Sequence, residues 1–138
     1  MIIIAFDFGT KNIGVAVGQT YTNTAHSLPS IKTKNNQEQF KKIFNEWQPN
    51  IVVVGNPLNI NGTKQTITKK SEMFSQTLKK IFNIPVLLHD ERLSTVEAKS
   101  ILFEKYGYKS LTKNRVDSMA AVIILESWLS YSHDKVLS

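Results

Sequence analysis

The chain has 138 residues, enough for one domain with a real core. It has no cysteine, which excludes disulfide frameworks, Cys-based zinc sites and thiol nucleophiles; its apolar runs are too short to cross a bilayer and no basic-then-apolar leader opens it, so a cytoplasmic domain with no membrane partner is expected. Seventeen Lys and Arg against 11 acids give a net charge of +6, pointing toward nucleic acid or another anionic surface, although 15 of the 17 are Lys, which with Asn and Ile share A/T-rich codons, so part of that charge is expected to reflect base composition.

The run Ile2-Ile3-Ile4-Ala5-Phe6 is apolar and β-branched and gives way to Asp7, Phe8 and Gly9, which predicts a buried strand. A second run covers Ile13 to Val17, with Gly14 inside it and Gly18 after it. Gly9-Thr10-Lys11-Asn12 is short enough to join the two as a hairpin. A weaker third strand spans Thr24 to Ile31, interrupted by Pro29. Phe40, Ile43, Phe44 and Trp47 then form one helical stripe, which Pro49 ends. Ile51-Val52-Val53-Val54 is the clearest buried strand, stopping at Gly55-Asn56-Pro57, and the segment through Asn61-Gly62-Thr63 is rich in turn residues.

A second amphipathic helix is predicted over Thr66 to Phe82, with Ile67, Phe74, Leu78 and Ile81 on its buried face. A strand over Ile84 to Leu88 leads into His89-Asp90-Glu91-Arg92. Ser94 and Glu97 have the spacing of a capping box, for a helix running to Tyr106 before Gly107. The last helix starts near Asn114 and is apolar almost all round from Met119 to Leu125, with a tail expected to fray after Tyr131. This order predicts an α/β fold in a single domain, 1–138: a mixed five-stranded sheet, antiparallel over its first three strands and then parallel, with helices on both faces. Sites in such sheets form beyond the carboxyl ends of the strands.

Three acids stand out by position: Asp7 closing the first strand, Glu91 closing the last, and Asp117 in the first turn of the last helix. Gathered together they would repel one another unless a cation sat among them, and hard divalent cations take such oxygen ligands. Each also has a plainer role. Asp7 suits a turn before Gly9, although a charge after five apolar residues is expensive. Glu91 suits a solvated strand end beside Arg92, and Asp117 suits a helix N-terminus with Asn114 as its cap. Spacing alone does not bring the three together. Other chemistries fail on residue type. Gly9 to Gly14 resembles half a phosphate-binding loop, but Val15 stands at the lysine position. His26, His89 and His133 are scattered without cysteine. His89-Asp90 has no Gly-x-Ser-x-Gly elbow to serve.

The run Ala5-Phe6-Asp7-Phe8-Gly9-Thr10-Lys11-Asn12-Ile13-Gly14-Val15-Ala16 resembles the opening of the YqgF (RuvX) family. Gly55-Asn56-Pro57-Leu58 with Asn61-Gly62-Thr63, His89 to Thr95, and Val116-Asp117-Ser118 with Ala120-Ala121 resemble its later motifs, in order and over nearly the whole chain. The resemblance implies an RNase H-like fold and a nuclease that matures the 5′ end of precursor 16S rRNA. It implies that Asp7, Glu91 and Asp117 form an acidic site for Mg²⁺ or Mn²⁺, at which a metal-activated water would leave a 5′-phosphate and a 3′-hydroxyl. A fourth acid, common in the wider superfamily, is not evident, so metal is expected to bind weakly until substrate completes its shell. Lys11, Lys64, Arg92, Lys113 and Arg115 become expected nucleic-acid contacts, both Arg offering a planar fork to phosphate. The expected partner is RNA, with ribosomal particles in reach and the chain a monomer or weak dimer. Four-way DNA junctions, or a non-catalytic RNA- or transcription-associated role, are the alternatives. A related two-domain ATPase architecture needs more chain than 138 residues supply.

Overall fold

The computed structural model describes residues 1–93, 104 and 118–137, with backbone only beyond 132. Its elements are β1 (Ile2–Asp7), β2 (Asn12–Gln19), β3 (Thr24–Lys32), α1 (Gln37–Trp47), β4 (Ile51–Asn56), α2 (Thr66–Phe82), β5 (Val86–Asp90), a single 3-10 turn (Glu91–Leu93) and α3 (Met119–Leu137). The strands form one sheet in the order β3-β2-β1-β4-β5. The β1–β2 and β2–β3 pairs are antiparallel, and β1–β4 and β4–β5 are parallel, as the hydrophobic patterning predicts.

Strand alternation divides the core in two. Ile4, Phe6, Val52 and Val54 face α1 and α2, where Phe40, Phe44 and Leu78 are buried against them. Ile3, Ala5 and Val53 face α3, against Ala121, Val122 and Leu125. Each large side chain buried this way stabilises the fold by roughly 1.5–3 kcal/mol. The central strands β1 and β4 are covered on both sides, which explains why they read as continuous apolar runs.

Two elements depart from the sequence reading. The buried face of α2 is Thr68, Ser71, Ser75 and Leu78, whereas Ile81 is 63% exposed. Small residues let α2 approach the sheet closely, and their hydroxyls are satisfied locally: Ser75 Oγ donates to the Glu72 carbonyl at 2.7 Å, and Thr68 Oγ1 donates to the Pro57 carbonyl. The strand β5 starts at Val86 rather than Ile84. Pro85 has no N–H for the ladder, and its carbonyl receives Val52 N at 3.0 Å. Glu91 consequently opens a turn instead of closing a strand. The backbone of α3 is helical to Leu137. The expected Ser94–Glu97 capping box, most of the helix after it, and the start of the last helix near Asn114 lie outside the described residues.

A bulge joins the sheet to α3. The β2–β3 register shifts between Ile13, paired with Ile31, and Val15, paired with Leu28, so β3 carries one extra residue around Pro29. The fully buried Ser118 fills the gap. Its Oγ accepts Val15 N–H at 3.0 Å and donates to the Leu28 carbonyl at 2.5 Å. Ser118→Ala would strand a buried donor and a buried acceptor and is expected to destabilise the protein by about 1–3 kcal/mol. Urea unfolding measures this, and an unchanged midpoint would mean the rung is not needed.

Candidate active site

The carboxyl ends of β1, β3, β4 and β5 and the start of β2 all lie at one end of the sheet. Asp7 is the last residue of β1. By alternation it shares the α3 face with Ile3 and Ala5. Its neighbours there carry no side chain: Gly14 is its β2 partner, and Gly55 follows Val54, the β4 partner of Phe6. Glu91 completes the corner. Its Oε2 lies 3.1 Å from where a Cβ on Gly55 would be, and that Cβ would also collide with Ile124 of α3. The Glu91 carboxylate therefore lies over Gly55, one strand across from Asp7, a spacing of roughly 4.8 Å between strands. Sequence reasoning treats Gly55 as a turn signal and gives Ser118 no role. Gly55 makes room for Glu91, and Ser118 anchors the helix packed beside it. The available signal was a glycine inside a buried strand, which often marks a close approach.

Burial alone drives the electrostatics of Asp7, pushing its carboxyl up to about 6 from 3.8. Between those two pH values the folded state holds a proton that the unfolded chain has released, so stability falls as pH rises. Above about 6 the ionised carboxylate costs the fold about 3 kcal/mol. Asp7→Asn is therefore expected to stabilise the metal-free protein at about pH 7.5 and to gain little at about pH 4. Urea melts at the two pH values measure this, and an equal gain at both would contradict the raised pKa of Asp7.

The cations divide into engaged and free. Arg92 forks onto Asp90, with Nη2–Oδ2 at 2.7 Å and Nε–Oδ1 at 3.0 Å, and donates through Nη1 to the Ile60 carbonyl at 3.1 Å. That fork keeps the Asp90 carboxyl below its ordinary range and ties the Glu91 turn to the β4–α2 loop. Gly62, at φ +88°, passes 3.4 Å from Arg92 Nη1 in that loop, measured from where its Cβ would be. Lys64 pairs with Glu72 at 3.0 Å. Lys11 sits exposed in the hairpin loop without an ion pair among the described residues. Asp117, Lys113 and Arg115 lie outside the described residues. His89 is a packing residue: it is buried, its Nε2 is 2.8 Å from Ser127 Oγ on α3, and burial holds its pKa below the usual value.

No cluster of three or more His, Cys, Asp or Glu among the described residues could hold a metal. The two described carboxylates nevertheless suit a hard cation. Both are oxygen donors, Glu91 lies over Gly55 beside the end of β1, and half-buried Asp7 has no ion pair among the described residues. No helix among the described residues is long and apolar enough to cross a membrane.

The family model described as RuvX, Holliday junction resolvase, matches residues 1–131. A protein of Buchnera aphidicola subsp. Baizongia pistaciae (strain Bp) is 74% identical over 135 residues, covering 96% of this chain and 98% of that protein. One from B. aphidicola subsp. Acyrthosiphon pisum (strain Tuc7) is 56% identical over 133 residues, covering 94% and 98%. Both are named "Putative pre-16S rRNA nuclease". Among solved structures, T. thermophilus RuvC in complex with Holliday junction substrate superposes with a TM-score of 0.66 at 14% identity, covering 97% of this chain and 96% of that one. The fowlpox virus Holliday junction resolvase gives 0.59 at 19%, covering 97% and 99%. These two likenesses establish the fold, an RNase H-like sheet of the RuvC kind. With a family match across residues 1–131 and relatives this similar along their whole length, the chain belongs to the RuvX (YqgF) family.

Proposed function

We propose that the chain is a Mg²⁺- or Mn²⁺-dependent nuclease that hydrolyses phosphodiester bonds of structured RNA and matures the 5′ end of precursor 16S rRNA. One observation supports the chemistry: Asp7 stands half-buried at a strand end beside Gly14 and near Gly55, and the Glu91 carboxylate lies over Gly55. The substrate is taken from relatives 56–74% identical to this chain. Asp7 and Glu91 would hold the cation, with Asp117 as the third carboxylate. Bound there, a divalent ion supplies a water of lowered pKa and offsets charge on the leaving oxygen.

The protein's own part is positional. Ser118, the chain neighbour of Asp117, is fixed to β2 and β3 by its two hydrogen bonds. The Arg92–Asp90 fork sets the turn in which Glu91 stands. Arg92 is thus a positioning residue, and Asp90 is committed to Arg92 rather than to a metal. Asp7 ligates only when ionised, so protons compete with the cation there and metal affinity is expected to weaken as pH falls.

The family description keeps four-way DNA junctions as a second reading. A cleavage assay on precursor 16S rRNA and on junction DNA, with magnesium or chelator, separates the two. Metal-dependent cleavage of the RNA is expected, falling more than about 100-fold in Asp7→Asn and in Glu91→Gln. Wild-type turnover by Asp7→Asn would mean the site is misplaced, and preferential cleavage of the junction would replace RNA with DNA as substrate.

A further inference from the structure

A second concavity opens at the same end of the sheet, on the far side of Asp7 from Glu91. It has a volume of about 630 Å³ and is lined by Thr10, Lys11, Lys32, Lys34, Asn35 and Gln39. Two loops build it. The β1–β2 hairpin contributes Thr10 and Lys11, the end of β3 and its connection to α1 contribute Lys32, Lys34 and Asn35, and the first turn of α1 adds Gln39. Two hydrogen bonds clamp these loops together: Thr33 N–H donates to the Lys11 carbonyl at 3.0 Å, and Thr33 Oγ1 donates to the Gly9 carbonyl at 2.7 Å. The lysines are thus displayed by a fixed backbone, Lys11 from one segment and Lys32 and Lys34 from another brought to one hollow.

Its chemistry is one-sided. The lining holds three cations, two amides and a hydroxyl, with no acid, no aromatic and no large apolar side chain. All three lysines are exposed, and none has an ion pair among the described residues. Glu38, the acid in the first turn of α1, is not part of the lining. The first turn of α1 has no side-chain cap, because Asn36 Nδ2 donates to the Thr33 carbonyl at 3.0 Å. Such a surface is built for a polyanion. Without aromatic faces it does not stack bases, so it reads the backbone: lysines meet phosphates, while amides and a hydroxyl suit ribose 2′-hydroxyls. Lys32 pairs with Asn12 across the β2–β3 ladder, two strands from Asp7, which is roughly 10 Å along the sheet end. That separation suits a strand whose scissile phosphate lies at Asp7.

We infer that this hollow is a backbone-binding subsite, in which Lys11, Lys32 and Lys34 hold the phosphates of the RNA strand flanking the scissile bond. The inference rests on the nuclease reading for its substrate and extends it to residues of the β3–α1 loop that no motif marks. The protein tested is the full chain carrying Asp7→Asn, so that bound RNA survives, titrated with a fluorescent single-stranded RNA over a range of salt. Adding Lys32→Gln and Lys34→Gln is expected to lower affinity about tenfold and to reduce the log–log salt slope by about 1.4, two phosphate contacts at about 0.7 each. The loss is expected to be uniform across RNA sequences. Lys79→Gln with Lys80→Gln, at the far end of α2, removes equal charge and is expected to change neither. Thermal unfolding shows whether each variant is folded.

Unchanged affinity and slope in the Lys32/Lys34 variant would overturn the subsite, as would an equal loss in the Lys79/Lys80 control, since charge alone would then suffice. With Asp7 restored, the Lys32/Lys34 variant is expected to raise KM with kcat unchanged. Wild-type protein that binds RNA through these lysines yet never cleaves it would sink the nuclease reading and leave the subsite standing. Cleavage that is indifferent to them would sink the subsite alone.

Discussion

The hydroxyl of Ser118 bears more of this structure than its size suggests. Pro29 brings a bulge to β3, and the bulge leaves the Val15 N–H and the Leu28 carbonyl without each other. Water could satisfy them at a surface, but here the gap is buried, and a residue 103 positions further along the chain fills it. One donor and one acceptor are satisfied by a single side chain that also begins α3. The rest of the helix follows from that anchor. Leu125 comes to lie against Gly18 and Ile124 against Gly55. Because Ile124 and the Glu91 carboxylate share the space above Gly55, the placement of α3 also bounds the corner in which Glu91 stands.

This arrangement explains why a costly carboxylate is tolerated at Asp7. The two cores bury most of β1 and β4, and the surplus they supply is spread over the whole sheet. Asp7 sits where that sheet ends, beside Gly14 and near Gly55, whereas Phe6 before it is flanked by Val15 and Val54. Packing there is open enough to admit a second carboxylate and closed enough to hold the first near a pKa of about 6. A group so placed weakens the metal-free fold and is relieved when opposite charge arrives, the usual trade between stability and a functional site.

Much of this was legible in residue order. Continuous apolar runs located β1 and β4, period-3.6 patterning located α1 and the limits of α2, and the hairpin-first order required a sheet that is antiparallel and then parallel. The face of α2 was not legible, because hydrophobicity favours Ile81 while close packing against the sheet selects Ser71 and Ser75. The start of β5 was misplaced for want of one N–H at Pro85. The candidate site was legible as residue types and not as geometry: Asp7 and Glu91 announce themselves by position, but their convergence depends on a missing side chain at Gly55. The fork between Arg92 and Asp90 depends on the turn that Glu91 opens, which a strand reading of those residues conceals.

Charge shows the same difference between composition and placement. A surplus of six positive charges says little when lysine dominates a chain also rich in Asn and Ile. Along the sheet end, however, the cations sort by position. On the β4–β5 side, Arg92 and Lys64 are matched to Asp90 and Glu72 and hold the turn and the loop in place. On the β2–β3 side, Lys11, Lys32 and Lys34 share one hollow with no acid in its lining. Between the two groups lies the half-buried Asp7 carboxylate, with that of Glu91 over the adjacent strand. A polyanion approaching this end meets matched charge on one side and unmatched charge on the other. Among the described residues this asymmetry, rather than the net charge, favours a strand laid from Asp7 toward β3 over one laid toward β5, the path that the proposed subsite would take.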